Sequence, residues 1–384
     1  MNADAEMAES GLPERLLMGP GPSNPYPEAT AALGRPLLGH LDPEFLDVLD
    51  ATCERLRTVF RTANPLTFPV SGTGSAGMEA AFVNLVQAGD GVLIGVNGLF
   101  GERMCEVASR CGAEVSRVEA PWGQPLDPEQ VVDACRRLAA AGKPPRLVGV
   151  VHAETSTGVR NEVAPLGEAV RHARGDALLV VDTVTSLGGI EVDADGWGID
   201  VSYSGTQKCL GVPPGLSPFT ISPNARQRLV PRSPSWYLDL RLIAEYVESG
   251  GRRTYHHTAP VAMIRALHAA LGVILAEGLE NVWARHAECG ALLAEGLQSL
   301  GLSLVAPEGS RLPELTTVWV PEGLAGNGGE AKVRAELLDR YGIEIGAGVG
   351  PMAGRAWRIG CMGHTARPRN VLALLGALSE VLGR

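Results

Sequence analysis

The 384-residue chain is poor in aromatic residues (5%) and has no excess of positive charge; 43 acidic residues outnumber 33 basic ones, for a net charge of −10. That balance offers no basic field for nucleic acid or for an anionic membrane surface, although a few local cations suffice to hold a small anion. No apolar run is long enough to span a bilayer. The seven cysteines, at 53, 105, 111, 135, 209, 289 and 361, form no CxxC pair. Their odd number and irregular spacing exclude a zinc knuckle and argue against a disulfide framework. The opening MNADAEMAESGLPE lacks the basic start and apolar stretch of a secretory signal and the arginines of a transit peptide, and the closing SEVLGR is no peroxisomal address. A reducing cytoplasm is the expectation. No internal repeat and no low-complexity tract is present, and although GTGSAG (72–77) has the GxGxxG spacing, no acidic residue closes the run GVLIGV (91–96) that follows, as a dinucleotide-binding dehydrogenase would need.

The chain is too long for one ordinary core and predicts about two domains. Residues 1–18 read as an N-terminal arm, followed by the rigid loop GPGPSNPYP (19–27) and a helix around 43–62. From about 70 to 205 short apolar runs alternate with amphipathic segments. The runs are GVLIGV (91–96), LVGVVH (147–152), ALLVVD (177–182) and VSYSG (201–205), and the helical patterns fall at 76–87, 101–111, 128–141 and 163–174. Continuous apolar strands between helices indicate a mostly parallel sheet covered on both faces, an α/β fold. Helical patterns return at 260–277 and 280–300. Then LTTVWVP (315–321), a helix near 329–341, WRIGCMG (357–363) and a last helix near 368–382 form a small α+β unit. The boundary is placed near 278, giving a large domain over 19–277 and a small one over 278–384.

Ligands in open α/β sheets sit at the carboxyl ends of the strands, so the polar residues that close the apolar runs are the ones to weigh. In VSGTGSAGMEAAF (70–82), Thr73, Gly74 and Ser75 lead into a helix. Its free N–H groups suit a phosphate, but an ordinary strand–helix turn reads the same way. Asp182 closes a buried strand and must pair with something. A protonated ring nitrogen, a helix cap and a metal are the options. Lys208 stands alone among Gly, Ser, Thr and Pro in SGTQKCLGVPPG (204–215). It is either a loop lysine on the surface or a buried amine of lowered pKa able to form an imine. Arg358, inside the apolar AWRIG, needs an anion, whether a substrate carboxylate or a structural partner. Thr155, Ser156 and Thr157 in HAETSTGV (152–159) either present hydroxyls to a ligand or shape a turn. The adjacent histidines of RTYHHTAPV (253–261) lack metal-ligand spacing, and no metal site is expected. One cofactor accounts for the whole set.

In order and spacing, LLMGPGPSN, NPLTFPVSGTGSAGMEAA, NGLFGER, HAETSTGV, VVDTVTSLGG, YSGTQKCLGVPPG, YHHTAPV, GLENVWARH and WRIGCMG resemble the alanine–glyoxylate (serine–pyruvate) family of class V aminotransferases, over about 16–382. The resemblance implies the fold type I of pyridoxal 5′-phosphate (PLP) enzymes, with a seven-stranded, mostly parallel sheet in the large domain, and a homodimer whose active sites lie at the subunit interface. By the same resemblance, Lys208 is the Schiff-base lysine and general base, Asp182 faces the pyridine nitrogen and Val184 packs under the ring. Phe100 stacks on the ring where relatives usually have Trp. Thr73, Gly74 and Ser75 form the phosphate turn, where relatives often carry His at the last position. Thr155 bonds the ring oxygen and Gln207 the phosphate, while Tyr255 and Thr258 reach the partner subunit's cofactor. Arg358 clamps the substrate carboxylate beside a loop at Gly21.

The implied reaction is ping-pong transfer of an amino group from a small L-amino acid, alanine or serine, to glyoxylate or pyruvate. Aminoethylphosphonate, serine–glyoxylate and pyridoxamine–pyruvate transaminases are the alternatives on the same scaffold, with a non-catalytic PLP-fold protein further off. A lyase or desulfurase fits less well. A desulfurase needs a cysteine on a mobile loop, whereas Cys289 lies in a helical pattern and Cys361 beside WRIG.

Overall fold

A computed structural model describes residues 13–172, 176–248 and 253–384. Most of the expected N-terminal arm therefore lies outside the described residues.

Seven strands form the main sheet: β1 (Leu66–Ser71), β2 (Gly91–Val96), β3 (Glu114–Glu119), β4 (Leu147–Val151), β5 (Leu178–Asp182), β6 (Val201–Tyr203) and β7 (Leu216–Ile221). Their order is β1-β7-β6-β5-β4-β2-β3. β6, β5, β4, β2 and β3 run parallel, and β7 is antiparallel to both its neighbours. β4 and β5 are buried at every position, as strands covered by helices on both faces must be. Three strands were not marked by apolar runs. β3 (EVSRVE) is an exposed edge, while β1 and β7 carry Pro69 and Pro218, which face each other in register. A proline removes a ladder donor and disguises a strand.

Helices follow the predicted spacing closely. α1 (Pro43–Phe60) starts on a proline behind Asp42, whose side chain accepts from Glu44 N, and ends at Arg61 with φ 50°. α2 (Gly74–Leu85) and α3 (Leu99–Arg110) follow β1 and β2. α2 packs close to the sheet because Gly77 has no side chain; a Cβ there would sit 2.2 Å from Ser217 Oγ. One continuous core runs from Tyr26 to Val282 and includes α4 (Val261–Glu277).

Gly278, at φ 86°, ends α4 and begins α5 (Leu279–Ser299), and the two helices meet at 87°. Beyond it a second core forms on the strands β8 (Leu315–Trp319), β9 (Gly346–Ala347) and β10 (Ala356–Gly360), with α6 (Gly329–Tyr341) and α7 (Pro368–Leu382). Met18 belongs to this second core, and Leu16–Leu17 pair in parallel with Ile343–Glu344. The N-terminal segment thus packs with the C-terminal unit. No single described helix is long and apolar enough to cross a membrane.

Phe82, fully buried on α2, tests the main core. Phe82→Ala is expected to lower unfolding stability by about 3–5 kcal/mol, read from the chemical denaturation midpoint.

Candidate active site

The parallel register sets the carboxyl ends of β4, β5 and β6 side by side, with Asp182 level with Val151 on one flank and Tyr203 on the other. Asp182 is 3% exposed. Its Oδ1 accepts from Val184 N at 2.8 Å, while Oδ2 has no hydrogen-bond partner among the described residues. Burial pushes this carboxyl up from 3.8 to about 7; Val184 N pulls it back, and the charge of Glu154 raises it further. The neighbouring Tyr203 hydroxyl is buried beside it, and burial first, then the Asp182 carboxylate, hold its pKa well above the ordinary value.

The chain has three lysines, at 143, 208 and 332. Lys143 and Lys332 are exposed, whereas Lys208 is buried. Burial first, and then the charge of Arg358, bring its amine down to about 8. Lys208 Nζ donates to the Pro20 carbonyl. Gly21 lies against the same side chain. A Cβ there would be 2.7 Å from Lys208 Cδ, and its φ of 106° also favours glycine. The loop 19–27 thus closes over the lysine, and Ser23 Oγ fixes it by donating to the Lys208 carbonyl at 2.8 Å.

Arg358, in the middle of β10, donates Nε to Ala347 O at 2.7 Å and Nη1 to Thr155 O at 3.4 Å. Among the described residues it forms no ion pair. Burial lowers its pKa, and Glu154 opposes that shift. Thr155 Oγ1 lies 2.9 Å from Thr185 Oγ1.

Behind β1, Thr73 is the N-cap of α2 but makes no side-chain capping bond; Ala76 N turns back to the Thr73 carbonyl, and the N–H groups of Gly74 and Ser75 stay available. Thr73 and Ser75 are exposed. Gly74 is buried on Val184, where a Cβ would come within 2.8 Å of Val184 Cγ2. Gln207 Oε1 is buried without a partner. Phe100 is half-buried at the start of α3.

Tyr255 and Thr258 are not joined to the others by any hydrogen bond among the described residues. Tyr255 is 55% exposed and its hydroxyl is 3.3 Å from Thr258 Oγ1. Neither bonds to Thr73, Ser75 or Lys208 among the described contacts. Only their neighbour His257 approaches the turn, through a 2.7 Å contact with Ser71 Oγ.

Two residues enter the site without a sequence signal. Glu154 is fully buried beside Thr155. Its Oε2 accepts from Phe100 N at 3.1 Å and Gly101 N at 3.4 Å, and its Oε1 from Ser156 N and Oγ at 3.1 and 2.6 Å. It therefore caps α3 and ties the Phe100 turn to the Thr155 loop. Arg103 holds its guanidinium 5.0 Å from the Phe100 ring centroid and 3.4 Å from Ser75 Oγ. A cation thereby stands beside the turn of Thr73, Gly74 and Ser75.

The class-V aminotransferase family model matches residues 24–356. The chain belongs to this family. An (S)-ureidoglycine–glyoxylate transaminase of Bacillus subtilis is 37% identical over 97% of this chain and 91% of its own. An alanine–glyoxylate aminotransferase of Callithrix jacchus is 39% identical over 97% and 88%. The crystal structure of an alanine–glyoxylate aminotransferase from Nostoc sp. superposes with a TM-score of 0.92 at 44% identity, covering 100% of this chain and 99% of the other. The chain is thus a PLP-dependent aminotransferase of fold type I. The residues present fit PLP: the buried, unpartnered Asp182 Oδ2 suits a protonated ring nitrogen, the uncapped α2 start suits a phosphate, and the depressed Lys208 amine suits a carbonyl. A desulfurase role finds no support, since Cys289 and Cys361 are fully buried and burial raises both thiols.

For a class-V aminotransferase the Asp182 environment carries a pH signature. Its folded pKa of about 7 lies above the ordinary 3.8, so the cofactor-free native state loses stability as pH rises from about 4 through 7. Cofactor-free Asp182→Asn should then be more stable than the unsubstituted protein at pH 8, by up to about 4 kcal/mol, and equal to it below about pH 4. PLP titration should show the reverse order, with the variant binding at least about 30-fold more weakly.

Proposed function

We propose that this aminotransferase transfers the amino group of a small L-amino acid, alanine or serine, to glyoxylate or pyruvate. Arg358 carries the reading. It is a guanidinium without an ion-pair partner, held by two carbonyls on the side of the site that bears Lys208. Its fork suits one α-carboxylate. Apart from Arg358, the charged groups that act most on Lys208 are the carboxylates Asp182 and Glu154. A second carboxylate on the donor would face Glu154 and Asp182 unpaired, which supports small monocarboxylates.

Bound PLP supplies an electrophilic carbonyl and an electron-withdrawing ring. The chain does the rest. Arg358 orients the donor by its carboxylate. Lys208 Nζ, with a pKa lowered by burial, takes the Cα proton and returns it on the other side of the transfer. Asp182 Oδ2 holds a proton at the ring nitrogen. Gly21, Pro20 and Ser23 close over Lys208 and exclude water. Glu154 ties the Phe100 turn to the loop of Thr155 and Ser156.

The working form is proposed to be a cytoplasmic homodimer in which Tyr255 and Thr258 serve the partner's site. Tyr255, Trp236, Tyr237, Leu37 and Leu41 are exposed. Ring contacts of Tyr255 with His40 (5.2 Å) and of Trp236 with His256 (4.5 Å) draw most of them into one patch, which supports an interface. All seven cysteines are free thiols, which supports a reducing compartment.

The relatives differ in amino donor, so a donor panel decides the substrate. The visible band of the holoenzyme should bleach with L-alanine or L-serine alone and return on adding glyoxylate or pyruvate. Bleaching only with (S)-ureidoglycine, 2-aminoethylphosphonate or pyridoxamine would reassign the donor. Arg358→Lys should raise the KM for the amino acid on the order of 100-fold, because a point charge replaces a two-pronged clamp.

A further inference from the structure

A cavity of about 200 Å³ lies in the small-domain seam, away from Lys208. Its walls come from small residues of α5 such as Gly290 and Ala294, from Leu304 and Ala306, and from the stretches 311–313 and 315–317. That volume is about seven times a water's share of the liquid, enough for a short acyl chain. The lining is mainly apolar, with Thr316, Thr317 and Arg311 as its polar residues. The Thr317 hydroxyl is sealed off without a partner, whereas Thr316 is 8% exposed and its side chain makes no hydrogen bond among the described residues, so it offers the free hydroxyl. Arg311 lines the same cavity. Its one hydrogen bond among the described residues runs from Nε to Ala306 O at 3.2 Å, and it forms no described ion pair.

An apolar slot beside an unpaired guanidinium and a free hydroxyl is complementary to one class of ligand, a small amphipathic carboxylate. We propose that the cavity is an effector site for such a molecule, distinct from the transamination site. Gly158 is the link between the two. It lines the cavity and lies on the loop that bears Thr155. Its carbonyl accepts from Leu312 N at 3.1 Å, and at φ 76° a Cβ would sit 3.1 Å from Thr317 N. Thr317 is in register with Arg358 across β8 and β10, and Arg358 donates to Thr155 O. A molecule wedged between α5 and Thr317 presses on the two segments that set the Arg358 clamp. Its effect should therefore fall on KM for the amino donor more than on kcat.

Octanoate is the probe, added to holoenzyme. Binding is followed by saturation-transfer NMR, which needs no turnover and reports the site whether or not alanine is the donor. The expected result is saturable binding that L-alanine does not displace, with a several-fold change in the amino donor's KM. Arg311→Gln and Ala294→Phe, one removing the cation and one filling the slot, should each weaken octanoate at least 10-fold. Without octanoate, kcat/KM of both variants should stay within twofold of the unsubstituted enzyme. Absence of saturable binding would overturn the proposal and leave the cavity a dry packing void. Displacement by L-alanine with Arg311→Gln unaffected would also overturn it, placing the carboxylate on Arg358 instead. Arg311→Gln is an exchange in a partly exposed loop and keeps the test valid if Ala294→Phe fails to fold.

Discussion

The fold holds a carboxylate and an amine, Asp182 and Lys208, out of water without joining either in an ion pair. Each is thereby pushed toward its neutral form, the acid up to about 7 and the amine down to about 8. Unpaired buried polar groups are costly in a native state, and this cost is the property that a cationic ring and a reactive carbonyl relieve. Much of the surrounding structure exists to maintain that pair. The parallel register brings Asp182 and Tyr203 level. Gly21 allows the N-terminal loop to lie on Lys208, and Gly74 allows α2 to lie on Val184. A side chain at either glycine would occupy the space the site needs.

Glu154 is the third buried charge, and it differs from the other two because its four hydrogen bonds satisfy it. It raises Asp182 and opposes the burial-driven shifts of Lys208 and Arg358. One carboxylate therefore sets both the geometry and the field of the site, bracing Phe100 on one side and Thr155 on the other. Arg358 reaches the same loop from the second core. The site is built where the two cores meet, so small shifts of the C-terminal unit move Arg358 relative to Lys208 and Asp182.

The elements legible in the sequence were those whose pattern is local. The ranges 329–341 and 368–382 coincide with helices Gly329–Tyr341 and Pro368–Leu382, and the run 91–96 with Gly91–Val96. Lys208, Asp182 and Arg358 stood out because a charged residue in an apolar or small-residue run is anomalous on its face. The edge strand β3, the proline-bearing β1 and β7, and the site residues Glu154 and Arg103 were not legible, because only long-range pairing shows what they do. Glu154 contacts Phe100 across 54 positions and Arg103 contacts Ser75 across 28. The spacing in the chain records neither distance. Tyr255 and Thr258 carry roles implied by resemblance alone, and their exposure in a single chain leaves them free for a second subunit.

The most direct test of the central assignment is to reduce the PLP-loaded enzyme with borohydride, digest it and map the cofactor mass by peptide mass spectrometry. With only three lysines in the chain the outcome is unambiguous. The account predicts one modified peptide, carrying Lys208. Cofactor fixed to Lys143 or Lys332, or no fixed cofactor in a fully loaded sample, would contradict it.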